Sequence, residues 1–341
     1  MPAFNQTTVE IIDIPRFTQI PEGMPWCFDA MSFAHSLGIR NRTLMHIVTR
    51  REKMYKLHSI PKKSGGRRVI HAPERMLKFV QGRLLTRYFT DLDYPAHIAA
   101  YVPGRTTRDS AAQHAGKPLL IVMDLKDFFP STRRSWVRRA IQDEFGYPHQ
   151  VASLMSDIMT VPMVFPYGRR YVVPQGAPTS GAICNWVAHH RIDKPILELC
   201  ERWGMTYTRY ADDLAFSSPK RLARKETNKF IKAVRKIIKD NDYSVNNKKL
   251  RVARSGRQQR LLGMTINEKP NIMRAHYRKM RARLHHCKHK GFDKVAGEMG
   301  VVSGAKLRSE IEGKIAYYHM INPVKAGKLK AQLHEVVAAH A

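Results

Sequence analysis

Acidic residues are scarce in this 341-residue sequence: 28 Asp and Glu stand against 59 Lys and Arg, a formal net charge of +31. A chain so one-sided repels itself unless a polyanion neutralises it, and the commonest polyanion is nucleic acid, ahead of an anionic membrane. Long apolar runs are missing as well. None approaches the roughly 20 residues that span a bilayer, so no membrane partner is expected. Cysteine is sparse: Cys27, Cys184, Cys200 and Cys287 form no C-x-x-C pair, which argues against a disulfide scaffold and for reduced, buried thiols. The opening MPAFNQTTVEIIDIPRF lacks the basic-then-apolar order of a secretory leader, so the expected location is cytoplasmic. Repeats and low-complexity tracts are absent too.

What is present is enough apolar residue, 43%, to bury a sizeable core. Residues 22 to 58 read as helical, and SIPKKSGGRRVIHAP reads as two short extended segments around a Gly-Gly turn. ERMLKFVQGRLLTRYFTDL and RRSWVRRAIQDEFG read as helices. PLLIVMDLKDFFPS is a continuous apolar run ending in charge, the pattern of a buried strand whose tip lies at a site. RYVVPQGAPTSGAICNWVAHHRIDKPILELCERWG reads as strand, turn and long helix, and YTRYADDLAFSSP as a hairpin. A basic helix follows, then one strand pair within KLRVARSGRQQRLLGMTIN, then a polar helical tail. This order, with a central hairpin and no regular strand–helix alternation, predicts an α+β fold.

Asp124 directly follows the apolar residues Leu120 to Met123, and Asp212 and Asp213 follow YTRYA. A carboxylate at the end of a buried strand is costly to desolvate unless it is paired or binds a cation. Three such carboxylates on neighbouring strands make a hard-oxygen site suited to Mg²⁺ with waters and phosphates. A lone Asp-Asp pair is more often an ordinary turn. Both segments together, in a basic chain with VPQGAPTSG between them, favour the metal site.

YADD on a hairpin, DLKDFFPS upstream and PQGAPTSGAICN between them resemble, in that order, the palm of reverse transcriptases. Within that class the chain is most similar to bacterial retron reverse transcriptases and their phage-defence relatives, over about residues 25 to 330. The resemblance implies a right-hand polymerase with fingers, a palm built on an antiparallel sheet, and a helical thumb. The boundaries it suggests are an N-terminal helical extension at 1–50, fingers and palm at 51–267, and a basic thumb at 268–341. It implies two Mg²⁺ ions, with Mn²⁺ as a substitute, on Asp124, Asp212, Asp213 and the carbonyl of Leu125. It places Lys63 and Arg68 on the triphosphate, Asp127 beside the sugar and triphosphate, and Gln175 and Gly176 against the incoming nucleotide. Phe129 matches the gate residue that collides with a ribose 2′-OH. Of Phe128 and Phe129, one is expected to pack in the core, because adjacent strand residues face opposite sides. Lys249 matches the lysine proposed to protonate pyrophosphate, with Lys248 a near competitor.

The implied partners are deoxynucleoside triphosphates, a dedicated structured non-coding RNA as template and primer, the RNA–DNA product and an effector or toxin protein. The implied product is branched DNA, and the implied role is antiviral defence. Two departures stand out. SAAQH keeps Ala111 and His114 of the retron N-A-x-x-H segment but has Ser110 for Asn, and LLG keeps only Gly263 of V-T-G. A stand-alone defence reverse transcriptase, or an RNA-binding scaffold with a vestigial site, therefore stays open. An intron-encoded maturase is less favoured, since little chain follows the thumb region. From Glu268 to Ala341 there are 15 Lys and Arg against 6 Asp and Glu, a net +9, on helices expected to lack a core of their own. RLHHCKHK reads as a basic helix face rather than a zinc site, and His189 and His190 as packing or surface residues.

Overall fold

The computed structural model describes residues 20–62 and 65–340. Lys63 and residues 1–19 of the expected N-terminal extension lie outside the described residues.

Helices α1 (Ala30–Ser36) and α2 (Asn41–Arg50) open the described chain. A capping box starts α1, with the Asp29 carboxylate accepting from the Ser32 N–H at 2.8 Å, which satisfies a donor the first turn would otherwise leave unpaired. The helical reading of 22 to 58 overshoots. Strand β1 (Tyr55–Pro61) begins soon after α2 and pairs along its whole length with β2 (Arg67–Pro73). Seven residues of ladder outweigh the helix-like spacing of Met54 and Leu57, an ambiguity that short apolar segments carry. Helix α3 (Arg75–Tyr88) follows, then α4 (Thr107–Ala112).

The centre of the molecule is a four-stranded antiparallel sheet in the order β6 (Thr206–Tyr210), β7 (Asp213–Ser218), β3 (Leu119–Asp124), β8 (Arg251–Arg254). Between β3 and β6 lie α5 (Phe128–Ser131), α6 (Arg134–Phe145), α7 (His149–Met159), the hairpin β4 (Val161–Phe165) and β5 (Gly168–Val172), α8 (Ser180–Ala188) and α9 (Lys194–Trp203). A π-helical stretch, His189–Asp193, joins α8 to α9. Helix α10 (Arg224–Asp240) connects β7 towards β8. The mixture of helices and antiparallel sheets is α+β, as the element order predicts.

Both faces of this sheet are covered, which is why β3 reads as unbroken apolar sequence. Leu119, Ile121 and Met123 pack into one core with Phe216, α6 to α10 and the N-terminal helices. Leu120, Val122 and Ala215 point the other way, into a second core. That second core corrects the expectation of a tail without one. Helices α11 (Arg274–Lys290), α12 (Phe292–Glu298), α13 (Gly304–Ile321) and α14 (Pro323–Ala338) bury Met280, Leu284, Leu307, Ile311, Leu329 and Leu333 among themselves and against the sheet. Each such fully buried side chain contributes about 1.5–3 kcal/mol. The basic residues interrupt the apolar stripe in the sequence and hide it.

The single strand pair expected in KLRVARSGRQQRLLGMTIN is also corrected. β8 joins the central sheet beside β3, with Leu119 opposite Arg254. β9 (Arg260–Leu261) and β10 (Met264–Thr265) instead form a small sheet with β11 (Asn271–Ile272). A turn closed by the Arg257 N–H on the Arg254 carbonyl at 2.9 Å ends β8, and Leu262 and Gly263 turn between β9 and β10 with φ of 47° and 80°.

Beneath β6 a buried network anchors the hairpin. Arg209 is fully buried, and its guanidinium donates to both Asp193 oxygens at 2.7–3.0 Å and to Asn185 Oδ1 at 2.9 Å. Tyr207 donates to Asp193 at 2.7 Å, and His97 Nε2 lies 3.1 Å from it. Burial alone would push the Asp193 carboxyl up, but Arg209 and His97 outweigh it and hold it well below the usual carboxylate range. Arg209, Tyr207 and His97 already occupy the Asp193 oxygens that a cation beside His97, His189 and Asp193 would need.

Candidate active site

Asp124 is the last residue of β3 and Asp213 the first of β7, and the two stand opposite each other in the ladder. Asp212 lies in the two-residue turn before β7, next to Ala211, which takes a left-handed φ of 56°. That region is sparsely populated by residues with a side chain and persists only when the surroundings dictate it. They do so here. The Leu125 N–H donates to the Asp212 carbonyl at 2.9 Å, tying the end of β3 to the turn. The Asn246 N–H donates to the Asp124 carbonyl at 2.8 Å, and Lys126 N–H to that of Ser244 at 2.7 Å. This lays residues 244–249 along the exit of β3 and brings Lys249 Nζ to 2.5 Å from Asp124 Oδ2.

The electrostatics follow from crowding. Burial, then the charges of Asp212 and Asp124, push the Asp213 carboxyl up to about 6, against the pull of Lys249 and Arg251. Burial also raises Asp212, with Asp124 adding to it. The hydrogen bond to Asp124 raises Lys249. One ammonium is thus set against three carboxylates, and two of them hold their protons more tightly than a free carboxyl. Such a donor set of hard oxygens with uncompensated charge fits a divalent cation such as Mg²⁺.

Around the carboxylates the other predicted residues fall as follows. Asp127 is exposed and adopts φ of 48° at the start of α5. Phe128 and Phe129 do divide into a buried and a half-buried ring, but as one turn of helix rather than as a strand. Arg68 lies exposed on β2, opposite Ile60, near enough for its charge to act on Asp212. The Pro-Gln-Gly turn docks on the same strand, with His71 N–H donating to the Gln175 carbonyl at 2.8 Å. Gly176 has φ of 120°, and a Cβ there would come within 2.7 Å of the Ile70 side chain. Close backbone approach therefore demands glycine.

SAAQH lies away from the carboxylates. His114 bridges Ser217 Oγ at 2.7 Å and Thr208 Oγ1 at 2.8 Å, and Ser110 reaches Thr208 at 3.1 Å. Burial pushes His114 down to about 3, so it is a neutral tie between α4 and the sheet. His189 packs on His97 and Trp186, and His190 pairs with Glu144.

Sequence reasoning missed Tyr101 and the Asp193–Arg209 pair. Tyr101 sits in a loop without periodicity and contacts Phe129 ring to ring at 6.1 Å. Asp193 and Arg209 are 16 positions apart, and no local spacing announces that a buried arginine needs that partner.

Known proteins resemble this chain over most of its length. Residues 60–266 match the family described as reverse transcriptase (RNA-dependent DNA polymerase). The retron Mx65 reverse transcriptase of Myxococcus xanthus is 34% identical over 311 residues, covering 88% of this chain and 69% of that one. The retron Mx162 reverse transcriptase of the same organism is 32% identical over 338 residues, 90% and 67% of the two chains. The retron Ec86 reverse transcriptase of Escherichia coli is 27% identical over 270 residues, 77% and 79%.

Proposed function

We propose that this chain, which belongs to the reverse transcriptase family and is an RNA-directed DNA polymerase of the retron type, extends a primer at Asp124, Asp212 and Asp213 on a dedicated structured RNA. The observation that carries this is the register of Asp124 against Asp213 with Asp212 in the adjoining turn. It sets three carboxylates at one end of the sheet within reach of a single lysine. Together with the Leu125 carbonyl they would hold Mg²⁺, or Mn²⁺ in its place. Two such ions, when bound, supply activation of the primer hydroxyl and neutralisation of the departing phosphates.

In the transfer, the primer 3′-oxygen bonds to the α-phosphorus of a deoxynucleoside triphosphate and the α–β phosphoanhydride bond breaks. The hydroxyl proton passes to solvent, and the pyrophosphate leaves after taking a proton from Lys249. Lys249, rather than Lys248, is favoured because its Nζ makes the ion pair at Asp124. Arg68 offers a forked donor to the triphosphate, and Lys63 is assigned to the same phosphates. Asp127, Gln175 and Gly176 border the nucleotide, and Phe129 excludes a ribose.

We assign the β1–β2 hairpin to the fingers, the four-stranded sheet to the palm and residues 268–341 to the thumb. Residues 51–267 then make up fingers and palm, and 1–50 an N-terminal extension. The thumb's net +9 would neutralise phosphates of the RNA and of the RNA–DNA product. No helix among the described residues is long and apolar enough to cross a membrane. A cytoplasmic setting, a branched RNA-linked DNA product, an effector protein held alongside and a role in antiviral defence complete the proposal.

Purification from the native host and sequencing of the co-purifying nucleic acid tests it. A branched RNA–DNA molecule is the expected result. RNA without DNA would favour an RNA-binding scaffold, and DNA made without a dedicated RNA would favour a stand-alone defence enzyme.

A further inference from the structure

Tyr101 is held in an uncommon way. The residues before it run beside β6: Arg209 N–H donates to the His97 carbonyl at 2.8 Å and Ala99 N–H to that of Arg209 at 3.0 Å. Asn185 Nδ2 donates to the Ala100 carbonyl at 2.7 Å. Arg105 closes the loop from the other side, donating to the carbonyls of Pro95 and Ile98 at 2.6 and 2.5 Å. Tyr101 itself adopts φ of 58°, a conformation that a residue with a side chain takes when its surroundings over-determine it.

The ring rests on a seat cut for it. At Gly181 an added Cβ would lie 2.3 Å from Tyr101 Cγ, so only glycine admits the ring there. Its other neighbour is Phe129, edge to face at 6.1 Å and 68°. Yet Tyr101 remains 54% exposed, so burial of its own surface does not account for the arrangement. Burial of the hydroxyl, then the charge of Asp212, push it up, while Arg68 pulls it down. Tyr101 therefore lies against the candidate gate, close enough to the candidate metal ligand Asp212 and the candidate triphosphate donor Arg68 for their charges to act on it.

We propose that Tyr101 is a positioning residue for sugar selection, which fixes the Phe129 ring against the deoxyribose of the incoming nucleotide. This rests on the reading of Phe129 as the gate. A gate discriminates only if it cannot swing aside when a 2′-hydroxyl presses on it. Phe128 blocks one side of Phe129, at 5.5 Å and 61°, and is itself buried and packed on Tyr243. Tyr101 blocks another, locked by its backbone and by Gly181. Two fixed rings thus hold the third.

The test is single-turnover addition of one deoxynucleotide or one ribonucleotide by the full-length protein on an RNA template with a DNA primer, with KM and kcat resolved. Tyr101→Ala is expected to raise relative ribonucleotide use by about tenfold, the scale on which small changes in an apolar contact alter selection, chiefly through a lower ribonucleotide KM. Tyr101→Phe keeps the ring and so the wild-type ratio. Gly181→Ala leaves Tyr101 in place but displaces its ring, and shifts the ratio in the same direction, which keeps the test decisive should Tyr101→Ala fail to fold. In the pair Phe129→Ala and Phe129→Ala/Tyr101→Ala, the second change adds nothing, because its effect runs through Phe129. Equal losses with both nucleotides, or an unchanged ratio in Tyr101→Ala and Gly181→Ala while Phe129→Ala shifts it, would overturn the role of Tyr101 and leave the gate standing. An unchanged ratio in Phe129→Ala as well would remove the gate itself.

Discussion

Asp193 and Arg209 form a fully buried ion pair at 2.7 Å, directly beneath the strand that leads into the Asp212–Asp213 turn. The pair fixes β6 to the π-helical stretch after α8, so the Asp212–Asp213 hairpin inherits its position from a charge pair in the core. Asp193→Asn would leave a buried guanidinium without its counter-charge. The expected cost is about 3–5 kcal/mol of stability, read as a lower denaturation midpoint in urea. The native pair stabilises above the carboxyl's ordinary range near 3.8 and loses that contribution as pH falls through its depressed folded value. An unchanged midpoint for Asp193→Asn at neutral pH would contradict this account.

Asp213 behaves in the opposite sense. Its carboxyl is raised to about 6 in the folded, metal-free protein, so the folded state binds a proton that the unfolded chain has released between about 4 and 6. Its contribution to stability is therefore full below the ordinary carboxyl value and is lost as pH rises through about 6. Mg²⁺ should reverse the loss. The rise in Tm on adding Mg²⁺ is expected to be larger at about pH 7.5 than at about pH 5.5, because the deprotonated site binds the cation better, and to shrink in Asp213→Asn. A Mg²⁺ effect independent of pH and of Asp213 would place the ion elsewhere.

Phe129→Ala opens the space a 2′-hydroxyl would occupy. Ribonucleotide addition is expected to rise relative to deoxynucleotide addition, with DNA synthesis retained. If the ratio of the two kcat/KM values does not move, Phe129 is a core residue and sugar selection lies elsewhere.

The C-terminal helices share their core with Leu120, Val122 and Ala215 of the sheet, so removing residues 268–341 would strip one face of the sheet as well as the basic charge. Charge removal is the cleaner test. Lys279, Arg283 and Lys314 line a groove beside Gly263 and Tyr317. Changing all three to Gln should weaken RNA binding. It should also flatten the salt dependence, by nearly one log unit per log unit for each phosphate no longer neutralised. Wild-type affinity with the same salt slope would assign these helices to a protein partner instead.

The candidate site was legible in the sequence where chemistry imposes local patterns. The apolar run into Asp124, the hairpin around Asp212 and Asp213, and the glycine of the Pro-Gln-Gly turn each carry a physical signature within a few residues. What the sequence concealed depends on distance. Leu57 stands at helical spacing from Met54, yet pairing with β2 makes it part of a strand. Basic residues on α11 to α14 masked an apolar stripe whose partners come from three other helices and a sheet. Tyr101 stands in an aperiodic loop, and only the glycine 80 positions later in the chain gives its ring a place.

The most direct measurement is Mg²⁺-dependent primer extension on an RNA template by the wild-type chain and by Asp212→Asn/Asp213→Asn. The double variant removes two negative charges from the proposed metal site and leaves the basic surfaces proposed to bind RNA untouched. DNA synthesis is predicted for the wild type and none for the variant, with RNA affinity within a fewfold of wild type in both. Undiminished extension by the double variant would contradict the assignment of these carboxylates to catalysis.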